Sequence, residues 1–150
     1  MKDTEQHKAA MQRMLPGAIT ASGFLGDDTR PLAEIIASDE EAFRRLGMEF
    51  EAAAEALERL RDEGGKGLGE PVTVDRTWLV STGDARGKLP CPYEDGIHHK
   101  NSIWVRRADS GESLVYSDLS LHLLREHHFC EGSGSPFRLE PAIVKRVLGL

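Results

Sequence analysis

The clearest pattern of hydrophobic and polar positions lies between residues 38 and 63. Apolar residues recur there at alternating spacings of three and four, which is the period of one helix face: Phe43, Leu46, Phe50, Ala53, Leu57 and Leu60. Ser38 and Glu41 form the S-x-x-E pattern of a capping box, and Gly64–Gly65 suits a helix end. The pattern predicts one amphipathic helix from Ser38 to Glu63. Gly47 lies inside it at a cost of up to about 1 kcal/mol relative to alanine, so it marks either a close packing contact or a break.

The apolar face of this helix allows two interpretations. It can pack on the chain's own domain, or it can form a coiled-coil-like seam with a second protein chain, because an a/d spacing is typical of both arrangements. The second interpretation predicts a protein partner or self-association through Phe43, Leu46, Phe50 and Leu57.

Two shorter helices are predicted before it. Residues 4–15 have helical character and are followed by Pro16 and Gly17, which end helices, and residues 31–37 begin with a proline that suits a first helical turn. Together these helices form an acidic helical section over residues 1–65. Residues 1–70 contain 9 Lys and Arg against 15 Asp and Glu.

The periodicity changes after the glycine-rich connection at 64–71. Apolar and polar residues alternate from 72 to 81, which predicts a strand. We expect a long loop over 82–101, two strands at 102–108 and 113–117 joined by a turn, a helix over 118–127, a short strand at 136–139 and a closing helix from Pro141.

These elements predict an α+β fold. N-terminal helices would accompany a small antiparallel sheet of three or four strands, and that sheet would pack with C-terminal helices. The chain divides into the helical section at 1–65 and an α+β section at 71–150. At 150 residues the two are expected to form one compact domain.

Charge and hydropathy narrow the functional classes. The net charge is −6 and lies in the first half, while residues 71–150 have 10 charges of each sign. Without a basic stripe, nucleic acid binding is disfavoured. No signal sequence and no apolar run of about 18 residues is present, so we predict a cytoplasmic, bacterial protein without a membrane span.

Cysteine and histidine residues are the main chemical lead. Five of the six histidines lie between 98 and 128, close to both cysteines. In a reducing compartment a disulfide is not expected, whereas thiolate and imidazole groups are the preferred ligands of zinc. One interpretation is therefore a zinc site that would join the long loop to the end of the 118–127 helix, with these candidate ligands: Cys91, His98, His99, His127, His128 and Cys130.

The spacing of these residues matches no established metal motif. His122 and His127 are five apart, and on a helix their side chains point about 140° away from each other, so they can share one ion only if the helix has ended by His127. The alternative for every candidate is an ordinary core or surface residue.

The functional prediction is a small non-catalytic interaction or regulatory module. The alternative is an enzyme that uses either bound zinc or Cys91 as a nucleophile. Cys91 lies between two prolines, which would present it rigidly, and a nearby imidazole could accept its proton.

Overall fold

The computed structural model describes residues 3–150 and has an α+β fold, which confirms the predicted class. N-terminal helices precede a four-stranded antiparallel sheet, and further helices follow it. The elements in chain order are α1 (Glu5–Met14), α2 (Leu32–Arg45), α3 (Phe50–Gly65), β1 (Val72–Val74), β2 (Trp78–Pro90), β3 (Ile97–Arg107), β4 (Ser113–Tyr116), α4 (Asp118–His127) and α5 (Pro141–Leu148).

The sheet is a meander in which each strand pairs with the next one along the chain. The single strand predicted at 72–81 is wrong, because a tight turn divides it into β1 and the start of β2. Asp75 and Arg76 both have positive φ, and Val74 pairs with Trp78 across the turn. The alternating pattern hid the turn because Val74 and Trp78, an even number of positions apart, lie on the same face of the sheet.

The loop predicted at 82–101 is also wrong. β2 continues to Pro90 and β3 begins at Ile97, so most of this segment is an antiparallel hairpin with a register shift between Asp84 and Lys88. Most side chains of 83–90 are exposed, so the strand has no apolar alternation by which the sequence could reveal it. The consequence is a short connection, residues 91–96, at the end of a long hairpin.

The helix predicted over 38–63 is two helices. Gly47, at φ +71°, breaks it between α2 and α3, and Ser38 lies inside α2 instead of capping a helix. A left-handed residue at this point is accessible to glycine at little cost. The break lets the chain fold back so that the rings of Phe43 and Phe50 stack with centroids 3.8 Å apart.

The predicted association face is largely internal to this chain. Phe43 and Leu57 are buried in the core, while Leu46 and Phe50 are half-buried against it. Self-association through these four residues stays a prediction, and it would depend on the exposed parts of Leu46 and Phe50.

One face of the sheet carries the main core. Helices α3, α4 and α5 contact the strands, and the core combines side chains from both sides of the glycine-rich connection. On the opposite face, Trp104 is 56% exposed. A second apolar cluster surrounds α1 and the first half of α4, and Cys91 belongs to it.

Two smaller observations complete the fold. Residues 136–139 form no strand, so that prediction was wrong. Within residues 3–150, no helix combines the length and the apolar character that crossing a lipid bilayer requires.

Candidate metal centre

Two segments that are distant in sequence meet at the end of the β2–β3 hairpin. The first is the connection 91–96, which is closed by hydrogen bonds from the Cys91 amide to the Gly96 carbonyl and from the Glu94 amide to the Cys91 carbonyl. The second is α4, which begins with a Ser117 capping box and ends at His127, because His128 adopts a left-handed conformation. Backbone geometry therefore determines where both segments present their side chains.

Four donor atoms converge between these segments. They come from Cys91, Asp95, His122 and His127, and all lie within 4.8 Å of one another. The Asp95 carboxylate bridges the two imidazoles, with Oδ1 2.9 Å from Nε2 of His122 and Oδ2 2.7 Å from Nε2 of His127. The Cys91 Sγ atom lies 3.9 Å from the same Nε2 of His127.

Cys91 forms the inner wall of the site. Its side chain is fully buried. Burial, reinforced by the adjacent Asp95 carboxylate, raises the pKa of the Cys91 thiol to about 12. The thiol is therefore neutral at physiological pH unless a cation replaces its proton.

Asp95 forms the outer wall and is partly exposed to solvent. Burial opposes ionisation of its carboxyl group, but the contacts with Cys91, His122 and His127 outweigh this effect and hold the pKa of Asp95 well below its usual range. The site therefore contains a carboxylate that stays ionised over a wide pH range.

Aromatic neighbours restrict both imidazoles. The Tyr93 ring stacks on His127, with centroids 3.8 Å apart and planes 4° from parallel. The ring of His98 lies 4.4 Å from that of His122. Burial, together with the nearby His122, lowers the pKa of His98. Among residues 3–150, nothing forms a hydrogen bond with the buried Nε2 atom of His98.

The structure does not bring all six predicted ligands to one place. Cys91 and His127 belong to the four-residue group, and His98 lies directly beside it. His99 is exposed on β3, opposite Lys88. His128 points elsewhere: its ring stacks on Phe50 and its Nδ1 lies 2.8 Å from the Glu40 carboxylate.

Cys130 is the sixth predicted ligand. It lies in the main core, separate from the cluster that contains Cys91. Burial raises the pKa of its thiol well above the ordinary value. Cys130 therefore behaves as a small apolar side chain in this fold.

The sequence analysis missed Asp95 and His122. Only the proximity of Asp95 to Cys91 within "CPYED" could have indicated Asp95 as a ligand. His122 was set aside because its direction on the helix differs from that of His127 by about 140°. In the structure His127 is the last residue of α4, yet the two rings meet edge to face with centroids 5.4 Å apart, and Nε2 of each contacts the Asp95 carboxylate.

The geometry disfavours a cysteine nucleophile. In a Cys–His–Asp arrangement, one imidazole nitrogen faces the thiol and the other faces the carboxylate. Here Nε2 of His127 faces both Cys91 and Asp95, so the carboxylate competes with the thiol for one nitrogen. Thiolate, imidazole and carboxylate groups are also the ligand types of tetrahedral zinc sites, and these four donor atoms lie within 4.8 Å of one another.

Comparison of the chain with protein-family models, with curated proteins and with solved structures finds no match. The functional argument therefore rests on the geometry of the site.

Proposed function

We propose that this protein is a zinc-binding module in which the ion has a structural, non-catalytic role. The observation that carries the proposal is the convergence of the Cys91, Asp95, His122 and His127 donor atoms within 4.8 Å of one another. The ion would join the β2–β3 hairpin to the end of α4. This role is consistent with a small interaction or regulatory protein.

The donor set favours zinc over the hard cations. One thiolate, two imidazoles and one carboxylate suit a tetrahedral ion with bonds of about 2.0–2.3 Å, whereas calcium and magnesium require six or more oxygen ligands. Such bonds place ligand atoms roughly 3.3–3.6 Å apart. The 3.9 Å between Cys91 Sγ and His127 Nε2 is close to that value. The distances from Asp95 to the imidazole nitrogens would lengthen by about half an ångström when an ion replaces the protons that they share.

The number of ligands favours a structural role. A catalytic zinc ion usually has three protein ligands and one water molecule, while four protein ligands complete the tetrahedron. The buried thiol of Cys91 also keeps solvent from the inner side. Structural zinc contributes its binding free energy to folding, so the ion would stabilise the contact between hairpin and helix.

The first test is the metal content of protein purified without a histidine tag. Elemental analysis should show about one zinc per chain. Cobalt added to the metal-free protein should give the visible absorption of a tetrahedral ion and a thiolate-to-metal charge-transfer band in the near ultraviolet. These spectra use the unaltered chain, so they do not depend on the folding of a variant.

Matched variants then assign the ligands. Cys91→Ser and His122→Gln should each weaken zinc binding by more than about 100-fold, beyond the 10–100-fold typical of residues that only support a ligand. The controls His99→Gln and Cys130→Ala should leave zinc affinity unchanged. A metal-free protein that gives no cobalt spectrum, or equal losses in the controls, would contradict the proposal.

The Asp95→Asn variant distinguishes a structural ion from a catalytic one. If Asp95→Asn leaves zinc affinity unchanged and an exchangeable water occupies the fourth position, the site is a catalytic one with three protein ligands. If Asp95→Asn weakens binding as strongly as His122→Gln, all four protein ligands hold the ion and the structural role stands.

A further inference from the structure

A second site lies at the other end of α4, in a cavity of about 560 Å³. Four segments form its walls: residues 19–24 after α1, the middle of the β2–β3 hairpin, the start of α4 and the loop 131–137. Its volume is in the range of pockets that hold small organic molecules. Most of the lining surface is apolar, and the larger apolar residues in the lining are Ile19, Phe24, Leu89, Leu119, Pro136 and Phe137.

Glu131 is the buried charged group of this cavity. It lines the wall, yet only 4% of the residue is exposed. Its backbone has φ +71°, a conformation that L-residues adopt at a cost of about 1–2 kcal/mol. Arg138 holds it in place through a 2.7 Å hydrogen bond to the Glu131 carbonyl. The fold therefore maintains a strained backbone at a buried acidic residue in the wall of the cavity.

The carboxyl group has hydroxyl partners only. Ser135 donates to Oε1 at 2.6 Å and Ser120 donates to Oε2 at 3.4 Å. Among residues 3–150, no lysine, arginine or histidine nitrogen lies within salt-bridge distance of it. Arg138 is near, but both of its terminal nitrogens are bound to the Asp39 carboxylate at 2.9 Å.

A buried carboxylate without a cation is costly. Burial outweighs the two serine hydrogen bonds and the nearby charge of Arg138, and it raises the pKa of Glu131 to about 7. An ammonium group that entered the cavity would supply the missing positive charge and a charge-assisted hydrogen bond. The apolar walls would enclose the rest of such a molecule.

We propose that this cavity binds a small organic amine, with the ammonium group against the Glu131 carboxylate and an apolar body between Phe24, Leu119 and Phe137. The charges at the rim, on Lys100 and Asp84, are of opposite sign and both residues are exposed, so they add no net preference. The buried Glu131 therefore determines the sign of the ligand charge. This site is independent of the metal centre, which uses other residues.

Calorimetric titration with three probes of one shape tests the proposal. Phenethylamine should bind, the neutral phenethyl alcohol should bind at least about tenfold more weakly, and the anionic hydrocinnamate should bind more weakly still. Chemical shifts in the nuclear magnetic resonance spectrum should move at Phe24, Leu119 and Phe137 on addition of the amine. These comparisons use the unaltered protein.

Two variants separate the buried carboxylate from the rim. Glu131→Gln keeps the side-chain shape and should lower phenethylamine affinity by about tenfold or more, while Asp84→Asn, which removes an exposed rim carboxylate, should change it by less than about twofold. Equal affinity for amine and alcohol, preference for hydrocinnamate, absence of binding, or unchanged amine affinity in Glu131→Gln would each overturn the proposal.

Discussion

The Sγ atom of Cys91 lies 3.9 Å from the Nε2 atom of His127, although 36 positions separate the two residues in sequence. The contact joins the end of a hairpin to the end of a helix, and Asp95 and His122 complete the group around it. An ion held here would close a loop of that length, so its binding would be coupled to the docking of the hairpin on α4.

The burial of Cys91 predicts that its thiol reacts slowly with electrophiles. Since burial raises the pKa of Cys91 to about 12, the native metal-free protein should react with iodoacetamide at neutral pH far more slowly than the unfolded chain does. Mass spectrometry of digested samples over time measures the rate at each cysteine. Cys130, which is also buried, serves as the internal reference. Rapid modification of Cys91 alone in the folded protein would favour the nucleophile alternative instead.

The ion pair between Asp39 and Arg138 predicts a large loss of stability when one partner is removed. Their side chains are 4% and 12% exposed, and the two hydrogen bonds join α2 to the loop before α5. Arg138→Met leaves the Asp39 carboxylate buried without its partner, so the free energy of unfolding should fall by about 3–5 kcal/mol. Urea unfolding followed by circular dichroism measures it.

A surface ion pair of similar geometry provides the control for this prediction. Arg59 and Asp75 also form two hydrogen bonds of 2.7 Å, but about half of each side chain is exposed. Arg59→Met should therefore change the free energy of unfolding by no more than about 1 kcal/mol. If Arg138→Met and Arg59→Met lower the free energy of unfolding by similar amounts, burial of the Asp39–Arg138 pair does not increase its contribution to stability.

The raised pKa of Glu131 predicts that the free energy of unfolding depends on pH. Burial raises its pKa from 4.5 to about 7 in the folded protein, so between these values the folded state binds more protons than the unfolded state. The contribution of Glu131 to stability is fully present below pH 4.5 and is lost as the pH rises toward 7, by up to about 3 kcal/mol. Unfolding in urea at several pH values should show this slope in the natural chain. The slope should be smaller in Glu131→Gln, and identical slopes would contradict the prediction.

The sequence alone determined the elements whose signals are local. The α+β class followed from a change of periodicity near the glycine-rich connection, and the helix predicted over 118–127 matches α4. Of the predicted ligands, Cys91 and His127 lie close together in the structure, and their role as ligands stays a prediction. Residue type and spacing carry this information because helix caps and apolar periods act within one element.

Tertiary structure decided the rest. The β2–β3 hairpin extends through polar residues that pair by backbone hydrogen bonds, so its connection at 91–96 could not be located from side-chain pattern. Asp95 lies on that connection and contacts His122 on α4, whereas Cys130 lies in a different apolar cluster. Glu131 acquired its buried position from four segments that are distant in sequence. Such positions depend on long-range packing, which leaves no periodic signal along the chain.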